Sequence, residues 1–63
     1  MDSHKYISTG EAALVLGVQI KVVDRLIRTG VLPRYRLNGI YVRVREGDVL
    51  ELLDVPRELL MMA

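Results

Sequence analysis

With 63 residues and no cysteine, the chain has the size of one domain, and neither disulfides nor thiolate metal sites can staple it. A domain this small buries only about 60% of its unfolded surface, which excludes a deep substrate cleft. No apolar run approaches the ~18 residues of a membrane span, and Met1-Asp2-Ser3-His4 lacks the basic start and apolar stretch of a signal peptide, so a cytoplasmic protein is expected. The net charge of +1 hides a segregation: residues 21–45 carry seven basic side chains against Asp24 alone, +6, while the rest carries two against seven, −5. Such a block points to a polyanionic partner, because concentrating like charge costs free energy that a phosphate backbone recovers.

In chain order, the first signal is a capping box, Ser8-x-x-Glu11, which starts a helix near Thr9. Ala12, Ala13 and Leu16 give that helix a small apolar face, Gly17 ends it after about two turns, and Ile7 packs back on it. A second helix starts near Gln19, with Ile20, Val23, Leu26 and Ile27 on its apolar stripe and Lys21, Asp24, Arg25 and Arg28 off it. Gly30 stops it at a left-handed position, and Pro33 prevents a restart. A linker as short as Gly17-Val18 allows only a tight turn, which predicts a helix-turn-helix whose second helix enters the major groove of DNA.

After Pro33 the pattern alternates, and Asn38-Gly39 marks a two-residue hairpin turn. Pairing Leu37 with Ile40 sets Arg36 opposite Tyr41, Tyr35 opposite Val42 and Arg34 opposite Arg43. In that register Tyr35, Leu37, Ile40, Val42 and Val44 form an apolar face that places Tyr35 in the core. Arg34, Arg36, Tyr41, Arg43 and Arg45 form a basic outer face. Arginines facing each other across a ladder destabilise an isolated sheet, a local conflict that a polyanionic ligand explains.

A third helix begins around Arg45 to Gly47 and runs through Val49, Leu50, Leu52 and Leu53, with Glu46 and Asp48 in its first turn, where the macrodipole favours acids. Pro56 interrupts it, giving a domain over residues 1–55 and a short apolar tail over 56–63. Leu59, Leu60, Met61 and Met62 of the tail either fold back on the domain, which needs core area, or form an oligomer contact. The expected fold is α+β: a winged helix-turn-helix of two short helices, a two-stranded β-hairpin wing and a C-terminal helix.

The series Tyr6-Ile7-Ser8-Thr9-x-Glu11-Ala12-Ala13-x-x-Leu16-Gly17-Val18, then Val23-x-Arg25-Leu26-Ile27-Arg28-x-Gly30-x-Leu32-Pro33, then a basic hairpin and a leucine-bearing helix, resembles the excisionase family. These are small winged-helix proteins related to the DNA-binding domains of MerR-type regulators, and the likeness covers about residues 6–54. The resemblance implies a recombination directionality factor of a phage or mobile element, which binds near an attachment site, bends the DNA and biases an integrase toward excision. It assigns Gln19, Lys21, Val22, Arg25 and Arg28 to the recognition helix, and Arg34, Arg36, Asn38, Gly39, Tyr41 and Arg43 to the wing. Asp24 departs from the family pattern and is expected to pair with Arg28 one turn on. Ile20 and Val22 leave few polar side chains for reading bases, which shifts weight to DNA shape and thymine-methyl contact.

Catalysis has little to stand on: His4 is the lone histidine, there is no glycine-rich phosphate loop, and the acids sit as caps or surface charges rather than as a convergent pair. His4 is expected to be a solvated terminal side chain with nothing to complete a metal site, so neither metal nor cofactor is expected. The expected partners are double-stranded DNA, an integrase, and other copies packed head to tail with acidic part against basic flank. A small transcriptional repressor using the same module is the alternative, and a protein-interaction module with a basic wing is a third. The lack of an effector or long dimerisation region favours the architectural factor.

Overall fold

The computed structural model describes residues 5–62; His4 and the rest of 1–4 lie outside them, as does residue 63. Along the chain run β1 (Tyr6–Ile7), α1 (Thr9–Leu16), α2 (Ile20–Arg28), β2 (Tyr35–Leu37), β3 (Tyr41–Arg45), α3 (Glu46–Leu52) and α4 (Arg57–Met62). The capping box forms as its spacing requires: Glu11 N donates to Ser8 Oγ at 3.1 Å, and Ser8 N donates to Glu11 Oε1 at 3.2 Å. Gly17 closes α1 at φ 69°, a conformation that costs glycine nothing, and its N–H caps the helix end. Gly30, at φ 85°, turns the chain out of α2, and the amides of Val31 and Leu32 return to the Leu26 carbonyl.

The helices α1 and α2 pack on each other, and α3 packs on α1. Between them lies a core in which Ala12, Val23, Leu26, Val44 and Val49 are fully buried. The alanines of α1 matter because short side chains let α2 and α3 approach closely while Leu26 and Val49 fill the remaining space.

The sheet differs from the expected hairpin in two ways. It has three strands, in the order β1-β3-β2. The first strand, β1, pairs antiparallel with β3, setting Tyr6 opposite Arg45 and Ile7 opposite Val44, and the Glu46 amide extends the ladder to the Lys5 carbonyl. A two-residue strand has no alternation to detect, and Ile7 is buried as a sheet residue paired with Val44.

The second difference is register. Asn38 and Gly39 both take positive φ, 57° and 72°, and Ile40 N reaches the Leu37 carbonyl, so the turn residues do what Asn-Gly does in a hairpin. The ladder nevertheless opens with Leu37 opposite Tyr41, followed by Arg36 opposite Val42 and Tyr35 opposite Arg43. Ile40 is the extra residue, left out of the pairing and largely exposed. A one-residue slip exchanges the faces of a strand. The expected pairing of Arg34 with Arg43 is therefore absent, and with it the like-charge conflict. Tyr35 and Leu37 leave the core side for the outer face; Tyr35 is half-buried there, edge-on to Tyr6 at 5.4 Å between ring centroids.

The third helix, α3, starts as expected, with Glu46 and Asp48 in its first turn, and ends at Leu52 before the turn to Pro56. Beyond Pro56 the tail is helical. This helix, α4, packs on α2 and buries Leu60 in the core, whereas Leu59, Met61 and Met62 stay exposed. Leu60 is therefore withdrawn from the group expected as an oligomer contact. Among the described residues no helix is long and apolar enough to cross a membrane, and no group of three or more His, Cys, Asp or Glu is placed to hold a metal.

Candidate nucleic-acid interface

A nine-residue α2 turns one stripe inward and leaves the rest to solvent or neighbours. The inward stripe is Val22, Val23 and Leu26, with Ile27 half-buried at its edge. Val22, expected on the DNA-contact surface, is only 4% exposed, while Ile20, expected on the core stripe, is 52% exposed. The period alone allows either stripe, since Ile20-Val23-Ile27 and Val22-Val23-Leu26 are both helical spacings. What selects the second is α4, whose Met61 lines the same groove as Val22. Ile20 instead lies near the start of α1, where a Cβ placed on Gly10 would be 3.9 Å from Ile20 Cδ1.

The solvent side of α2 thus carries Gln19, Ile20, Lys21, Asp24 and Arg28. Gln19 is the N-cap residue but makes no side-chain capping bond, which leaves its amide available at the leading end of the helix. Asp24 and Arg28 line one groove without closing the expected ion pair, whereas Lys5 and Glu46 do pair, 3.8 Å apart. Arg25 is half-buried and turned aside, its Nη2 donating to the Met61 carbonyl of α4.

Two short helices joined through Gly17 and Val18, the second with lysine and arginine on its open side, satisfy the geometry of a helix-turn-helix. A family profile described as a helix-turn-helix domain matches residues 6–54. The chain belongs to the helix-turn-helix domain family. No curated protein and no solved structure matches it significantly. In this helix-turn-helix protein the matched stretch spans β1 to the end of α3, so the wing and the third helix belong to the module and α4 lies beyond it.

The register divides the wing residues between two faces. Arg36 shares a face with Val42 and Val44, the side that covers the helices, and beyond the core it projects as an exposed cation. Arg34, just before β2, lines a groove together with Thr9, Asp24, Ile27, Arg28 and Val42. This groove brings a wing arginine and a recognition-helix arginine to one surface, which no local sequence signal joins. Tyr41 and Arg43 lie on the opposite, outer face with Tyr6, Tyr35, Leu37 and Arg45. There the Arg43 guanidinium sits over the Tyr41 ring at 5.3 Å and also donates to the Val42 carbonyl. A hydrogen bond to Tyr35, and then the charge of Asp48, hold the Arg45 guanidinium even more firmly protonated than an ordinary arginine. Asn38 and Gly39 stand at the exposed tip.

Sequence reasoning missed three features. Ile20, expected on the buried stripe, joins the open face instead. The outer face gathers all three tyrosines of the chain with two arginines. The third is Arg57, whose Nη1 donates to the Gly17 carbonyl at 3.1 Å in the turn between the helices. Its only sequence signal was a basic residue just after Pro56, and that names no partner.

Proposed function

We propose that this helix-turn-helix protein is a non-catalytic, architectural DNA-binding factor of a phage or mobile element, an excisionase that bends its site and directs an integrase toward excision. One observation carries the DNA-binding part: Arg28 on the open side of α2 and Arg34 of the wing line one groove, with Lys21 exposed on the same helix. Helix in the major groove and wing on the flanking backbone is the docking that such a layout permits. Lys21, Arg28 and Gln19 read bases, aided by Ile20 on thymine methyls, while Arg34, Arg36 and the Asn38-Gly39 tip hold phosphates and the adjacent minor groove. The excision role rests on the resemblance of residues 6–54 to excisionases. Loading of several copies head to tail is supported by charge: Glu46, Asp48, Glu51, Asp54 and Glu58 on the α3–α4 side of one protomer can meet the basic flank of the next, with Leu59, Met61 and Met62 exposed beside them.

A circular-permutation gel shift on attachment-site DNA tests this reading. A large bend, with complexes appearing in steps as further copies load, is the expected result; an unbent one-copy complex would identify a repressor of the same module instead. Titration at two salt concentrations tests the more basic claim, since log affinity should fall by about 0.9 per phosphate neutralised.

A further inference from the structure

Two arginines join α4 to the reading machinery at its two ends. At the start of α4, Arg57 donates to the Gly17 carbonyl in the turn between α1 and α2. At its end, the Met61 carbonyl accepts from Arg25 Nη2, and between the two Leu60 is buried in the core. The resulting groove runs along the flank of α2, lined by Gln19, Lys21, Val22 and Arg25 on one side and by Arg57 and Met61 on the other. Arg57, Leu60 and Met61 lie beyond the matched family module, which ends at residue 54.

The consequence for Arg25 follows from the shape of a guanidinium. Bidentate reading of a guanine edge needs two adjacent N–H donors presented outward. In Arg25, Nε is buried without a partner, which withdraws the side-on donor pair, and Nη2 of the end-on pair already donates to the Met61 carbonyl of α4. The last-turn carbonyls of a helix also carry partial negative charge, and here they sit beside the helix expected to approach phosphates. Docked α4 therefore removes a reading side chain and adds an unfavourable field.

We propose that α4 is a built-in restraint on base reading: it competes with DNA for the Arg25 guanidinium and leaves the flank of α2 when that helix enters the major groove. Arg57 is the positioning residue that sets the balance, since its bond to Gly17 holds α4 in place. The inference rests on α2 being the DNA-reading helix, and its test separates the two.

The test uses the full chain and a short mixed-sequence duplex followed by fluorescence anisotropy. Arg57→Ala removes a cation, which by electrostatics alone weakens DNA binding; release of the restraint instead tightens it, by about tenfold for one charge-assisted hydrogen bond lost. The gain should vanish in the Arg25→Ala, Arg57→Ala double variant. On the unsubstituted protein, methyl labelling of leucine and methionine supplies a readout that needs no variant: the signals of buried Leu60 and groove-lining Met61 should move toward positions typical of mobile side chains as DNA saturates. Salt-sensitive binding with Arg57→Ala equal to or weaker than the parent, or with Met61 unmoved at saturation, would overturn the restraint while sparing the DNA-binding reading. Absence of salt-sensitive binding by the parent chain would overturn both.

Discussion

The recognition helix and the wing carry the same side chain, arginine, under different rules of placement. In α2 the open side of the helix was bounded by its periodicity, and Lys21, Asp24 and Arg28 lie where a 3.6-residue period puts them. In the wing a period of two makes each residue's face depend on a single pairing, and the unpaired Ile40 exchanges both faces of β2 relative to β3. A helix shifted by one residue rotates its stripe by roughly 100°, so neighbouring positions stay near the surface. A strand shifted by one inverts. Arg34 and Arg36 thereby come to the recognition-helix side, and Tyr41 and Arg43 go to the other.

The largest effect belongs to the buried side of α2: Leu26→Ala should cost about 2–5 kcal/mol, enough to unfold much of a domain this small, as read from a denaturant midpoint. A loss under about 1 kcal/mol would mean that Leu26 does not anchor the core. Next comes its open side. Arg28→Ala should cost about 1–3 kcal/mol of binding to a preferred duplex and narrow the gap to other sequences, with the melting temperature unchanged. Equal weakening on all duplexes would move Arg28 from base reading to backbone contact.

In the wing, Arg36→Ala should lower the salt slope of duplex binding by about 0.9, the share of one phosphate, without altering sequence preference. Arg43→Ala, on the outer face, should leave that slope unchanged; if the two behave alike, the outer face also meets DNA. The smallest effect is expected from deleting Ile40. The deletion leaves a two-residue Asn-Gly loop and keeps Leu37 opposite Tyr41, so stability should change by no more than about 0.5 kcal/mol. Had Leu37 paired with Ile40, the same deletion would turn the strand inside out, and amide protection across β2 and β3 would collapse.

The legible parts of this protein are those whose cause is local. The Ser8–Glu11 capping box, the left-handed Gly17 and Gly30, the positive-φ Asn38-Gly39 turn and the acids opening α3 all follow from backbone chemistry within a few residues. They were enough to identify a helix-turn-helix followed by a hairpin and a helix, and hence the kind of partner. That Val22 is covered and Arg25 held was not legible, because the element on that flank of α2 is α4, which comes from the other end of the chain. Tyr35 was misjudged because the turn chemistry of Asn38-Gly39 is the same whether or not an extra residue follows it.

The sequence alone carried α1, α2, the hairpin and α3 in their order, and the concentration of positive charge between residues 21 and 45. Only the tertiary structure decided which of those charges share a surface. Helix starts, stops and turns depend on hydrogen bonds that close over three or four residues. Faces depend on pairing and packing between segments far apart in the chain, where the contact of β1 with β3 and of α4 with α2 settles what each side chain can reach.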